Sequence, residues 1–168
     1  MRTVIRSASG LDVALAEPVD GDEDLLADDA DGLFKVDEDS RPMPYRPPAG
    51  FLVVIAPSTG ELLGDVGWIA VLHGPTAACA AWNIGIDLRP AARGRGVGSA
   101  AQRLLVEHLF ASTEVDRVEA STDVANVAEQ KALERAGFRR EGVLRGGQLR
   151  GGQRRDLVLY GVLRGDLG

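Results

Sequence analysis

From Gly85 to Ser99 the chain reads Gly-Ile-Asp-Leu-Arg-Pro-Ala-Ala-Arg-Gly-Arg-Gly-Val-Gly-Ser, a run rich in the residue types that hold an anion. Gly94, Gly96 and Gly98 stand at alternate positions, so no Cβ keeps a bound group away from the backbone N–H donors. Val97, Ala101, Leu104, Leu105 and Leu109 then recur at helical spacing towards Phe110. That pattern places the donors at a helix N-terminus, where unpaired N–H groups and the helix dipole favour negative charge. Arg93 and Arg95 add two cationic side chains. The chemistry is that of a diphosphate cradle held by Arg93, Gly94, Arg95, Gly96, Val97, Gly98 and Ser99. Two other readings fit the same residues. One is a plain turn with solvated arginines. The other is a nicotinamide or flavin dinucleotide site, because Gly96 to Ala101 fits the GxGxxA variant with Glu119 as a ribose carboxylate. In that fold the first Gly directly follows the first strand, whereas here Pro90 to Arg95 intervene, and the stretch beyond the loop is short for a six-stranded doubly wound sheet.

The run Arg93-x-x-Gly96-x-Gly98 resembles the Arg/Gln-x-x-Gly-x-Gly/Ala signature of the GNAT superfamily of acyl-CoA-dependent N-acyltransferases. Asn126 to Phe138, an Asn opening a helix that ends in Gly137-Phe138, resembles that superfamily's second block. Glu141-Gly142-Val143-Leu144-Arg145, followed by Asp156 and Tyr160, is similar to the RimJ/RimL-like branch. The resemblance covers about residues 50 to 165. It implies an α+β GNAT fold, with a mixed, mostly antiparallel central sheet splayed at the cofactor site and flanked by helices. It also implies acetyl-CoA as acyl donor, no metal, and transfer to a primary amine; a homodimer is compatible with it.

By the same resemblance, main-chain groups of Ile86, Asp87 and Leu88 pair with the pantetheine arm, and one N–H polarises the thioester carbonyl. Asn126 hydrogen-bonds the arm or caps its helix, and Lys131 faces a nucleotide phosphate or solvent. The sequence departs from the family where a thiolate must be protonated. The usual Tyr four residues before the Gly of Gly-Phe is Leu133, a RimL-like Ser three residues after the Asn is Glu129, and a Glu of some members is Gln148. A protonated Glu129, a hydroxyl of Ser121 or Thr122, or water are the candidate acids. Candidate bases are Glu119, Asp123 and Asp87, although an outward strand carboxylate is the favoured reading of each. The demand on a base depends on the amine: an α-amine is roughly a tenth neutral at pH 7, whereas a lysine-like amine needs about 4–5 kcal/mol to deprotonate.

The chain has 168 residues and a net charge of −6. Its length is enough for one domain, residues 1–168, to bury about 70% of its unfolded surface without metals or disulfides. Residues 20–39 carry ten carboxylates against Lys35 alone, which leaves the remainder at +3. That acidic stretch reads either as a solvated helix and loop or as a groove wall attracting a polycationic, aminoglycoside-like amine. The arginines near the C-terminus alternate with glycines rather than stacking aromatics, so nucleic acid is not an expected partner. The N-terminus lacks a signal-peptide core and no apolar run is long enough to span a membrane; a cytoplasmic protein without membrane partner is expected. Cys79 reads as a small buried hydrophobe, His73 as a hairpin residue facing substrate, and His108 as structural.

These residues need elements to position them. Leu11, Val13 and Leu15 alternate as a first strand ended by Pro18, and Asp20 to Phe34 reads as a helix. The segment 41–50, with Pro42, Pro44, Pro47 and Pro48, reads as a loop. Residues 51–56 and 62–72 form a hairpin, 77–88 the next strand, 98–110 a helix, and 117–122 a strand with one buried face. A helix from Asn126, capped by Gly137, leads to a last hairpin of 138–144 and 156–163. The leading expectation is a small-amine N-acetyltransferase. The alternatives are a protein N-terminal acetyltransferase, an acyl-CoA-binding module without turnover and, more distantly, a nicotinamide-linked oxidoreductase.

Overall fold

The computed structural model describes residues 2–41, 43 and 45–167. In chain order the strands are β1 (Val4–Ser7), β2 (Ala14–Ala16), β3 (Ala49–Ala56), β4 (Glu61–Leu72), β5 (Ala80–Leu88), β6 (Arg117–Asp123), β7 (Arg139–Arg150) and β8 (Gln153–Leu163). The helices are α1 (Asp22–Asp28), α2 (Val97–Ser112) and α3 (Val127–Ala136). The strands form one sheet in the order β1-β2-β3-β4-β5-β6-β8-β7. Among the described residues only the β5–β6 pair is parallel, joined through α2. This is the mixed, mostly antiparallel α+β architecture expected from the sequence.

Strand side chains alternate between the two faces. One face carries Val54, Val66, Ile84, Val118, Ala120, Val158 and Tyr160 against Leu105 and Leu109 of α2 and Leu133 and Ala136 of α3. Each fully buried leucine there contributes about 1.5–3 kcal/mol. The other face is thinner: Ala14, Ala16, Val53, Ile55 and Leu62 pack with Leu26 of α1. Helix α3 ends as its Gly predicts. Gly137 adopts φ 103°, and Phe138 N–H donates to the Leu133 carbonyl at 3.0 Å, closing a Schellman-type turn.

Several expectations are corrected. The first strand is split: β1 is a separate edge strand, and β2 covers only residues 14–16, leaving Leu11 exposed. β1 has just Val4 and Ile5 as apolar residues, so its identity comes from pairing with β2 rather than from alternation. The helix expected over 20–34 stops at Asp28, because carboxylates near a helix C-terminus oppose the dipole and Gly32 and Phe34 take left-handed conformations at φ 67° and 61°. The last hairpin is longer than expected: β7 and β8 meet at a Gly151-Gly152 turn, with a register shift between Leu144 and Gln148. Cys79 is half-exposed rather than buried; its thiol is held below the usual range by contact with Thr76. Pro42 and Pro44 of the proline-rich loop lie outside the described residues. No described helix is long and apolar enough to cross a membrane.

Candidate active site

β5 follows β4 along its whole length, from Ala80 opposite Leu72 to Leu88 opposite Gly64. It pairs with β6 only at Trp82–Val118, Asn83–Glu119 and Ile84–Ala120. Beyond that the two strands part: residues 85–88 stay with β4, and residues 121–123 stay with β8. Main-chain groups of Ile86, Asp87 and Leu88 on the edge away from β4 therefore have no strand opposite. Gly64 helps seat this end of β5, since a Cβ there would lie 2.2 Å from the Asp87 carbonyl oxygen.

At the open end of the cleft the chain turns through Pro90–Ala92 into α2. Gly94 and Gly96 adopt φ 72° and 80°, a left-handed geometry that costs other residues about 1–2 kcal/mol. Ala100 is the first residue of the helix start to donate inward, to the Gly96 carbonyl at 3.1 Å. Among the described residues the N–H groups of Gly94, Arg95, Gly96, Val97, Gly98 and Ser99 meet no backbone or side-chain acceptor. Gly98 lets the helix approach its neighbours: a Cβ there would stand 3.6 Å from the Leu88 side chain and 3.9 Å from Ala132. The Arg93 guanidinium is paired with Asp31, donates to the Leu88 carbonyl at 2.9 Å, and lies 3.8 Å from Asp87. Arg95 and Lys131 are exposed.

The three carboxylates singled out in the sequence do different things. Glu119, buried on β6, meets His73 Nε2 at 2.8 Å and accepts from Arg117 Nε at 3.0 Å, while Arg117 also grips Glu141. His73 and Arg117 line a cavity of about 460 Å³ on this face. Asp123 is buried between Arg150, at 2.9 Å, and Arg155, at 3.3 Å, and accepts the Ala125 N–H. Burial pushes its pKa up, but the Ala125 N–H and the two arginines outweigh this and hold it below the usual range. Those contacts tie the end of β6 to the β7–β8 hairpin. Glu129 is half-buried in the first turn of α3 and pairs with Gln102 of α2. Asn126 caps α3, its Oδ1 accepting the Glu129 N–H at 3.2 Å.

Sequence reasoning passed over Asp65 and Gln102. Asp65 lies opposite Asp87 on the α1 face of the sheet, and both line a cavity of about 230 Å³ with Asp29 and Arg89. Burial, aided by Asp87, pushes Asp65 up to about 6. The only sequence signal for it was its alternation with apolar neighbours in a strand. Gln102 is 1% exposed, and its signal was a polar residue amid the apolar positions of α2. His108 packs edge to face on Trp68, with ring centres 6.2 Å apart; burial holds its pKa down.

The loop, the splayed strands and the Asn126-capped helix α3 lie inside one sequence match. The family model described as Acetyltransferase (GNAT) domain matches residues 25–139. The chain belongs to the GNAT family. No curated protein matches this GNAT chain by sequence. Among solved structures it is similar to Mycobacterium smegmatis RimJ in complex with CoA-disulfide, at 20% identity and TM-score 0.75, over 99% of this chain and 88% of that one. It is also similar to a GNAT-family acetyltransferase from Bacillus anthracis, at 22% identity and TM-score 0.58, over 67% and 65% of the two chains. A third is the ribosomal-protein-S5-alanine acetyltransferase from Vibrio fischeri, at 22% identity and TM-score 0.61, over 71% and 64%. The GNAT chain thus spans somewhat less than two thirds of the Bacillus and Vibrio structures. At these identities the likeness is one of fold.

Proposed function

We propose that this GNAT chain is an acetyl-CoA-dependent N-acetyltransferase acting on a primary amine. The observation that carries the reading is the set of free N–H groups from Gly94 to Ser99 at the start of α2, beside the parted strands β5 and β6. Anion recognition needs those donors. Ile86, Asp87 and Leu88 would pair with the amide-rich arm of the donor, Arg93 and Arg95 would face its diphosphate, Asn126 would cap α3 beside the arm, and Lys131 would lie within reach of the nucleotide. Bound acetyl-CoA supplies an activated acetyl thioester; the chain supplies its position and the proton traffic. Of the two β6 carboxylates, Glu119 with His73 is the better candidate base, because its one arginine, Arg117, is shared with Glu141, whereas Asp123 is held by two arginines.

Two acceptor classes have support. Asp29, Asp65 and Asp87 around the cavity under α1 favour a cationic small amine. The likeness to a ribosomal-protein-S5-alanine acetyltransferase, beside the RimJ/RimL-like sequence resemblance, supports a polypeptide amine. Titration calorimetry with acetyl-CoA, followed by free-thiol release with a panel of polyamines, aminoglycosides and peptides bearing free N-termini, tests both. Micromolar binding with thiol release is expected. Binding without release from any amine would leave an acyl-CoA-binding module, and no binding would end the reading. Size-exclusion measurement is expected to return a homodimer, and a monomer would remove that element.

A further inference from the structure

β5 carries a glycine in its interior, at the point where it leaves β6. The last rung between the two strands is Ile84–Ala120, and Gly85 is the next residue of β5. Neither backbone conformation nor packing explains the choice of residue. Gly85 is not among the glycines of positive φ, and a Cβ built on it would meet no described atom within 4 Å. Glycine inside a strand lowers stability relative to alanine, and where the protein itself leaves its place open it marks a close approach by a ligand. Gly50 and Gly64 differ in this respect: a Cβ on the first would lie 2.3 Å from the Trp68 ring, and on the second 2.2 Å from the Asp87 carbonyl oxygen.

Its neighbours set the direction in which that space opens. Ile84 and Ile86 turn into the core shared with α2 and α3, so the Cβ position of Gly85 faces the opposite side of the sheet, where the residue is exposed. On that side Gly85 lies in register with Gly67 of β4, and Gly67 with Phe51 of β3. No described side chain comes within 4 Å of a Cβ built on Gly67 either. Phe51, and Ile69 two residues beyond Gly67, are 39% and 38% exposed. Asp65 and Asp87 form the rung on the other side, about 7 Å along the strands. A donor held at its diphosphate by the N–H groups of Gly94 to Ser99, with its arm along Leu88, Asp87 and Ile86, brings its thioester to the apex of the cleft beside Gly85. The acceptor then approaches over the exposed face. We infer that Gly85 is a specificity-determining residue for the acceptor, its missing side chain leaving room for the branched carbon that bears the reacting α-amine of a polypeptide; this rests on the N-acetyltransferase reading above.

An α-amine sits on a carbon that also carries a carbonyl and a side chain, and such a carbon needs the space that a Cβ at position 85 would fill. A polyamine nitrogen on a slender CH2 does not. Phe51 and Ile69 offer apolar contact to the first side chains of the acceptor, while Asp65 and Asp87 attract its ammonium form. The test compares G85A and G85V with the wild type on short peptides beginning with Gly, Ala or Val, and on spermidine. G85A is expected to bind acetyl-CoA as tightly as the wild type by calorimetry and to melt about 1–4 °C higher, because the added methyl group meets nothing in the protein. Its kcat/KM should fall at least about tenfold for the peptides beginning with Ala and Val, the scale of one misplaced methyl group, and less for the peptide beginning with Gly. G85V should lose all three, and spermidine should be a poor acceptor for the wild type. With acetyl-CoA still bound, an equal fall for every peptide, an unchanged kcat/KM, a lower Tm in G85A, or a wild type that prefers spermidine would overturn the assignment alone. A wild type that binds no acetyl-CoA removes the functional reading and the role of Gly85 with it.

Discussion

Glu129 is a residue whose surroundings work against its charge, and the energetic consequence can be measured apart from activity. Its pKa is raised from 4.5 to about 7, so the folded state holds the proton more tightly than the unfolded chain does. That contribution is complete below about 4.5 and is lost as pH rises through about 7. Gln at this position keeps the shape without the titration. E129Q should match the wild type near pH 4.5 and be more stable at pH 8 by something on the order of 3 kcal/mol, at 1.36 kcal/mol per unit. Urea unfolding at the two pH values checks this, and a stability difference independent of pH would contradict it. Asp65, raised to about 6 by burial and by Asp87, pulls the pH dependence the same way. A protein that keeps such groups gives up stability near neutral pH, as functional sites commonly do.

At the scale of elements, the segment after α1 behaves as a strap. Asp29 holds Arg89 at 2.8 Å, Asp31 holds Arg93, the Phe34 ring lies under Arg150 at 5.5 Å, and Asp37 accepts the N–H groups of Gly151 and Gly152 at 2.6 and 2.8 Å. It joins the end of β5 to the β7–β8 hairpin, which lie on opposite sides of the cleft. The acidic composition of residues 20–39 is thereby used on both walls instead of being a solvated face alone. Arg93 cannot serve Asp31 and an incoming diphosphate equally. D31N should therefore tighten acetyl-CoA binding by roughly two- to fivefold, the range expected for an exposed ion pair. Calorimetry at low and high salt reads the change; unaltered affinity would mean that the Arg93 side chain takes no part in holding the donor.

For the whole molecule, a ligand that bridges α2, β5 and the start of α3 stabilises whatever keeps those elements together. At about one hundred times its Kd, acetyl-CoA should add about 2.7 kcal/mol to the folded state. For a chain of this size that is a rise of roughly 5–10 °C in Tm by thermal shift. NAD at the same concentration should leave Tm in place. A shift with NAD and none with acetyl-CoA would return the dinucleotide reading of Gly96 to Ala101.

Much of this was readable before any coordinates. Alternate glycines beside arginines, an apolar stripe at helical spacing, and an Asn followed by a helix closing on Gly-Phe are local patterns, so the chain spells them out: the apolar stripe did form α2, Asn126 did take the capping role that was one of its two readings, and Gly137 did end α3. Periodicity located most strands and helices along the chain, and the mixed, mostly antiparallel sheet was an expectation of the family resemblance; the strand order and the helices on its larger face came from the structure. What the residues alone could not say concerned partners distant in the chain. Asp123 meets Arg150 and Arg155, Glu119 meets His73, Glu129 meets Gln102, and Asp31 meets Arg93 across 62 positions. Whether a carboxylate is a base, an acid or an anchor depends on its burial and on the charges packed against it. Those are properties of neighbours in space, and they exist only once the chain has folded.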